Sequence, residues 1–102
     1  MLLQGKKAIV TGGTRGIGFA VVQSFLKNGA SVALFGSRQE TVDKALAALK
    51  AENSDWEVIG MAPDLTDYAA VDAAFAEVEK AFGRIDILVN NAGISAREPL
   101  YD

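Results

Sequence analysis

Short continuous apolar runs alternate along the chain with longer stretches in which apolar residues recur every three or four positions. Lys7, Ala8, Ile9, Val10 and Thr11 form the first run. It is too short for a helix and suits a strand covered on both faces. From Gly16 the period changes. Ile17, Ala20, Val21, Ser24 and Phe25 fall on one face of a helix, and Asn28-Gly29 predicts its end, with Gly29 as the left-handed cap. Ser31-Val32-Ala33-Leu34-Phe35 is the second buried run.

Ser37-Arg38-Gln39-Glu40 reads as a capping box, Ser37 at the N-cap and Glu40 reaching back. Val42, Ala45, Leu46 and Leu49 then stripe a second helix. Glu52-Asn53-Ser54-Asp55 is a polar break. Residues 56–62 read as a third strand centred on Val58-Ile59 and stopped by Pro63. Thr66 or Asp67 caps a third helix, with Val71, Phe75, Val78 and Phe82 as its stripe and Gly83 as its end. A fourth strand is expected over residues 85–89, and Asn90-Asn91-Ala92-Gly93 follows as a turn. Residues 94–102 carry Pro99 and no clear period.

The resulting order is β-α-β-α-β-α-β with short connections. Such alternation implies an α/β fold, a parallel sheet with helices on both faces. Right-handed crossovers and the doubly wound, Rossmann-type pattern predict the strand order 3-2-1-4. A ligand crevice is then expected at the carboxyl ends of strands 1 and 4, where the order reverses.

Composition narrows the function. The 102 residues fit one domain at most. Half are hydrophobic and 23% are charged, a globular rather than disordered balance. A net charge of −3 argues against a nucleic-acid partner, whose phosphates need a basic face. The chain has no cysteine and no histidine, so thiolate chemistry and the commonest general base are missing. No apolar run approaches the roughly 20 residues of a membrane span, and the N-terminus does not read as a signal peptide. A cytoplasmic protein acting on small molecules is the expectation.

The chemistry concentrates in Thr11-Gly12-Gly13-Thr14-Arg15-Gly16-Ile17-Gly18. A strand that ends in a glycine-rich turn and opens a helix makes a phosphate cradle. Glycines leave backbone N–H groups open to a ligand, and the first helical turn has unpaired donors and a field that favours an anion. A dinucleotide pyrophosphate is the usual occupant of such a unit. Gly12, Gly16 and Gly18 serve the turn and the close approach of the pyrophosphate. Thr14 and Arg15 stand at its tip, where Arg15 is equally readable as a surface arginine.

This turn resembles the T-G-x-x-x-G-I-G turn of the short-chain dehydrogenase/reductase family, and Asn90-Asn91-Ala92-Gly93 resembles a second signature of that family. The resemblance spans residues 5–95. It is close to the 3-oxoacyl-acyl-carrier-protein reductases and to bacterial bile-acid hydroxysteroid dehydrogenases. It implies an oxidoreductase that reduces a ketone, a 3-oxoacyl thioester first and a hydroxysteroid ketone second, in a homo-oligomer, a tetramer by family resemblance. It also implies that Asp64 accepts from the adenine amino group, that the Leu65 backbone helps hold the ring, and that Asn91, with Ala92 and Gly93, lines the cofactor ribose. A binding module without catalysis is the rival from another class.

The end of strand 2 bears on the cofactor. An NAD enzyme places a carboxylate there for the ribose 2′-OH. This chain has Gly36-Ser37-Arg38 instead. A cation in the first turn of a helix costs about 0.3–1 kcal/mol, and a 2′-phosphate would offset that through a charge-assisted pair. With Arg15 nearby, NADP is expected over NAD, held by Ser37 and Arg38. The family's catalytic Y-x-x-x-K maps nowhere on the chain: Tyr68 is followed by Ala69-Ala70-Val71-Asp72 and Tyr101 stands next to the end. Residues 1–102 thus read as the N-terminal, dinucleotide-binding part of one Rossmann domain, truncated relative to the family, without its catalytic half and inactive alone. No metal site is expected. An open outer edge on strand 4, and apolar side chains of strands 1 and 4 facing water, would make a lone monomer unstable.

Overall fold

The computed structural model describes residues 2–14 and 16–91. The elements follow the expected order: β1 (Lys7–Thr11), α1 (Gly16–Lys27), β2 (Ser31–Phe35), α2 (Gln39–Glu52), β3 (Val58–Met61), α3 (Tyr68–Phe82) and β4 (Ile87–Asn90). The strands form one parallel sheet in the order β3-β2-β1-β4. Ile9 stands beside Ala33 on one side and Leu88 on the other.

Alternate strand residues point to opposite faces, which divides the core in two. Ala8, Val10, Val32, Leu34 and Val58 pack with Val22 and Leu26 of α1 and Val42, Ala45 and Leu49 of α2. Ile9, Ala33 and Phe35 pack with Ala74, Val78 and Phe82 of α3. Phe35 also meets the Phe75 ring edge-on, with centroids 5.8 Å apart. Two helices therefore cover one face and one covers the other. The central strands β1 and β2 are hydrophobic throughout because both of their faces are covered.

Several boundaries and faces differ from the sequence expectation. In α1 the buried residues are Gly18, Val22 and Leu26, and Ile17 is 76% exposed. The stripe is rotated by one position because Gly18 sits against the strand–helix turn, where only a glycine fits. In α2 the expected stripe holds, but the capping box does not form. Arg38 is the N-cap, with no side-chain cap. Its carbonyl accepts from Val42 N at 3.1 Å and from Thr41 Oγ1 at 2.9 Å, so the helix starts one residue later than a Ser37 cap requires. In α3 Asp67, rather than Thr66, is the cap, accepting from the amides of Ala69 and Ala70. Gly83 ends that helix in the left-handed region, with φ 88°.

Strand β3 is shorter than residues 56–62 because the Trp56 amide turns back to the Asn53 carbonyl. Strand β4 starts and ends later than residues 85–89. Asp86 meets β1 partly through its carboxylate, which accepts from the Lys7 amide at 2.9 Å, and Asn90 pairs with Thr11 as a strand residue. The expected exposure of strands 1 and 4 is only partly met. Ile9 is 0% exposed, because α3 reaches across it, while Leu88 is 52% exposed. Nothing is described for Ala92, Gly93 or the tail, residues 94–102.

The helix register is testable by urea unfolding. Leu26→Ala should cost about 2–5 kcal/mol as a buried truncation. Ile17→Ala should stay within about 0.5 kcal/mol, as an exposed change does. The stripe first read from the sequence requires Ile17 to be the costlier of the two.

Candidate functional site

The site is built where β1 ends and α1 begins. Gly12 has φ 71° and Gly16 φ 62°, both in the left-handed region that side chains rarely enter. A Cβ on Gly18 would stand 1.9 Å from the Gly12 carbonyl oxygen and 2.9 Å from Asn91 Nδ2. The first turn of α1 therefore lies directly on the strand end, and the Asn91 amide lies against both. A Cβ on Gly16 would meet nothing within 4 Å, so the space in front of that turn is open.

The Gly12 and Gly13 amides are not open to a ligand as expected. Both donate to the Phe35 carbonyl, at 2.8 and 3.2 Å. That ties the turn to the end of β2 and leaves the donors of the first turn of α1 to an anion. Thr14 strengthens the same junction. Its methyl lies 2.5 Å from where a Gly36 Cβ would be, so the turn and the start of the Gly36-Ser37-Arg38 segment touch. Arg15, at the tip, lies outside the described residues.

Thr11 is the residue that sequence reasoning left without a role. Its hydroxyl lies 3.1 Å from Asn90 Oδ1 and accepts from the Asn91 amide at 2.8 Å. Threonine thus joins the carboxyl ends of β1 and β4, where the strand order reverses. Its place next to the glycine turn was the available signal. Beside it opens a cleft of about 350 Å³, lined by Thr11, Leu65, Thr66, Phe75, Leu88 and Asn90 among others. The crevice is where the topology predicts it.

Ser37, Arg38 and Asp64 surround this end from the β2 and β3 sides, all exposed. Among the described residues the Ser37 hydroxyl has no hydrogen-bond partner. Arg38 Nη1 lies 3.8 Å from Glu40 Oε1, and both side chains are about two-thirds exposed. An exposed pair of this kind is worth about 0–1 kcal/mol, so the guanidinium is readily available to another anion. The Arg38 cation stands at the N-cap, before the first turn rather than within it. Asp64 Oδ1 accepts from the Thr66 hydroxyl at 2.6 Å and the Thr66 amide at 3.0 Å. Those bonds, the hydroxyl first, hold its carboxyl below the usual carboxylate range, so at neutral pH it acts only as an acceptor. Oδ2 has no partner among the described residues. Leu65, 41% exposed, offers an apolar surface beside it.

The short chain dehydrogenase model matches residues 6–102. The chain belongs to the short-chain dehydrogenase family. It is 57% identical, over all of its 102 residues and 41% of the relative's length, to a 3alpha-hydroxysteroid dehydrogenase of Mediterraneibacter gnavus. It is 41% identical over 100 residues, 98% of this chain and 38% of the relative, to a gluconate 5-dehydrogenase of Gluconobacter oxydans. Among solved structures, levodione reductase superposes with a TM-score of 0.83 at 33% identity, over 90% of this chain and 36% of that one. The chain spans well under half the length of each of these relatives. Short-chain dehydrogenases bind nicotinamide nucleotides and act on small-molecule carbonyl substrates. The residues present fit such a nucleotide: a glycine turn with Gly12 and Gly16 in the left-handed region and no room for a side chain at Gly18, an open space before a helix N-terminus, and polar groups at the ends of β2 and β3 that have no partner among the described residues. No helix among the described residues is long and apolar enough to cross a membrane, and among them no cluster of His, Cys, Asp or Glu could hold a metal ion.

Two measurements check this geometry. Thr11→Val keeps the shape but leaves the Asn91 amide without its acceptor. It should cost about 1–3 kcal/mol in urea unfolding, whereas Thr11→Ser should recover most of that; equal loss in both would remove the hydroxyl from the account. For Asp64, Thr66→Val should raise the carboxyl pKa toward its ordinary value in an NMR titration. The sign follows from the lowered folded value: the contribution to stability is present above the unfolded pKa and disappears as pH falls through the folded one. An unmoved Asp64 titration would exclude the Thr66 hydroxyl as the cause.

Proposed function

We propose that residues 1–102 form the nucleotide-binding part of a single Rossmann domain in an NADP-dependent short-chain oxidoreductase that interconverts a ketone and a secondary alcohol. The observation that carries the cofactor choice is the end of β2. No carboxylate stands there to accept from a ribose 2′-OH, the Ser37 hydroxyl is unpartnered among the described residues, and Arg38 is held only by an exposed pair with Glu40. A 2′-phosphate would take charge-assisted bonds from Arg38 and Arg15 and a hydroxyl bond from Ser37.

The other roles follow the same placement. The first turn of α1, from Gly16 through Ile17 and Gly18, receives the pyrophosphate, with Gly12, Gly13 and Thr14 shaping the approach. Asp64 accepts from the adenine amino group and Leu65 lies along the ring. Asn91, with Ala92 and Gly93, lines the ribose. When bound, the nicotinamide supplies or accepts the hydride, and the chain's own residues bind and orient it. The similarity to a hydroxysteroid dehydrogenase over the whole chain supports a steroid ketone ahead of the 3-oxoacyl thioester expected from the sequence.

Cofactor affinities of the protein at its native length test the reading. The wild type should bind NADPH more tightly than NADH. Ser37→Asp should reverse the order by repelling the 2′-phosphate, with a loss in NADPH affinity of about tenfold or more, roughly 1.4 kcal/mol. Equal or tighter NADH binding by the wild type would overturn NADP dependence. Turnover of 3-ketosteroids against 3-oxoacyl thioesters decides the substrate class.

A further inference from the structure

A second groove, of about 380 Å³, runs between α1 and α2 and is separate from the cleft at the β1–β4 junction. It is lined by Thr14, Phe19, Thr41, Lys44, Ala45 and Ala48. Its head is Thr14, the residue that rests on Gly36 and precedes Arg15. Its floor is apolar, and among the described residues Lys44 is the only charged one lining it. The groove therefore opens onto the place where the glycine turn meets the end of β2.

Lys44 has no ion-pair partner within 4 Å among the described residues. Glu40, one helical turn before it, is an acceptor at favourable spacing, yet Glu40 is engaged with Arg38. The other hydroxyl in the groove is also committed, because Thr41 Oγ1 donates to the Arg38 carbonyl. A side chain on a helix leans toward the N-terminus. By that general lean, the end of α2 that the flexible four-carbon stem of Lys44 favours is the N-terminal one, where Ser37 and Arg38 stand. Phe19, Ala45 and Ala48 offer the stem an apolar surface while the charged head stays in water.

We propose that Lys44 is a further specificity residue for the cofactor, placing its ammonium beside the 2′-phosphate from the head of this groove. The inference rests on the NADP reading above and adds a residue to it. Lys44 contributes to phosphate recognition from the α2 side, opposite the glycine turn, beside an Arg38 guanidinium that its exposed pair with Glu40 leaves available. A phosphate held this way is distinguished from a plain ribose hydroxyl by a cation that has no use in binding NAD.

The test is a fluorescence titration of NADPH and of NADH with the protein at its native length. Lys44→Gln should weaken NADPH by about three- to tenfold, the range of a part-exposed charge-assisted contact, and leave NADH unchanged. Lys44→Arg should retain most of the NADPH affinity, and the salt dependence of NADPH binding should be shallower in Lys44→Gln. Unchanged NADPH affinity in Lys44→Gln, with the wild type still preferring NADPH, overturns the role of Lys44 and leaves the cofactor reading standing. Equal weakening of both nucleotides overturns it as well, since that is the mark of a structural effect. A wild type without preference for NADPH overturns both.

Discussion

The contact on which the rest depends is the approach of α1 to the end of β1. The Gly12 carbonyl and the Gly18 Cα are so close that a methyl group at position 18 would overlap the oxygen. This contact sets the rotation of α1, and through it the face that meets the sheet: Gly18, Val22 and Leu26 inward, Ile17 outward. It also aims the first turn of the helix, with its unpaired amides, at the open space in front of Gly16. A side chain at position 18 would push the helix away and move both the core stripe and the candidate anion site.

The two ends of the sheet are finished differently. At the amino-terminal end polar groups are consumed by one another. Ser31 Oγ donates to Glu57 Oε1, Lys7 Nζ approaches the same oxygen at 3.6 Å, and Arg84 Nη2 donates to the Gly5 carbonyl at 2.7 Å. The Asp86 carboxyl, held below the ordinary range first by the Lys7 amide, joins β4 to β1. At the carboxyl end the bonds among the described residues serve position: Thr11 across β1 and β4, Gly12 and Gly13 onto Phe35, and Thr66 onto Asp64. Ser37 and Asp64 Oδ2 keep bonding capacity in reserve. Binding energy can be drawn from groups that folding did not use, and in an open parallel sheet those groups collect where the strand order reverses.

Electrostatics at the end of β2 follow from which side chains found partners first. Glu40 lies within reach of both Arg38 and Lys44, and takes Arg38. Asp43, beside Lys44, accepts from Gln39 Nε2, so two cations and two acids share the start of α2, and attraction for an anion is local to the exposed guanidinium and ammonium rather than to a surplus of charge. The helix field adds to that attraction, since the N-terminus of α2 already favours an anion.

The amino-acid pattern by itself determined the element order, the parallel sheet, the 3-2-1-4 arrangement and the end of the sheet that carries the site. These rest on local periodicity, on glycine and proline punctuation and on the handedness of crossovers, all of which are written in sequence. Position 18 was read as a glycine for a ligand; its second use, as the surface on which α1 docks, needed the carbonyl of Gly12 in three dimensions. Ser37 looked like a cap because caps are serines, but the helix began where the Arg38 carbonyl found Val42 and Thr41. Thr11 had no local pattern to mark its role, because its partners Asn90 and Asn91 lie about 80 positions away. The groove that holds Lys44 is formed where Thr14 and Phe19 come beside Thr41, Ala45 and Ala48 of α2, residues distant from them in sequence. Contacts between residues distant in sequence are set by packing of the whole sheet, and only the tertiary structure decides them.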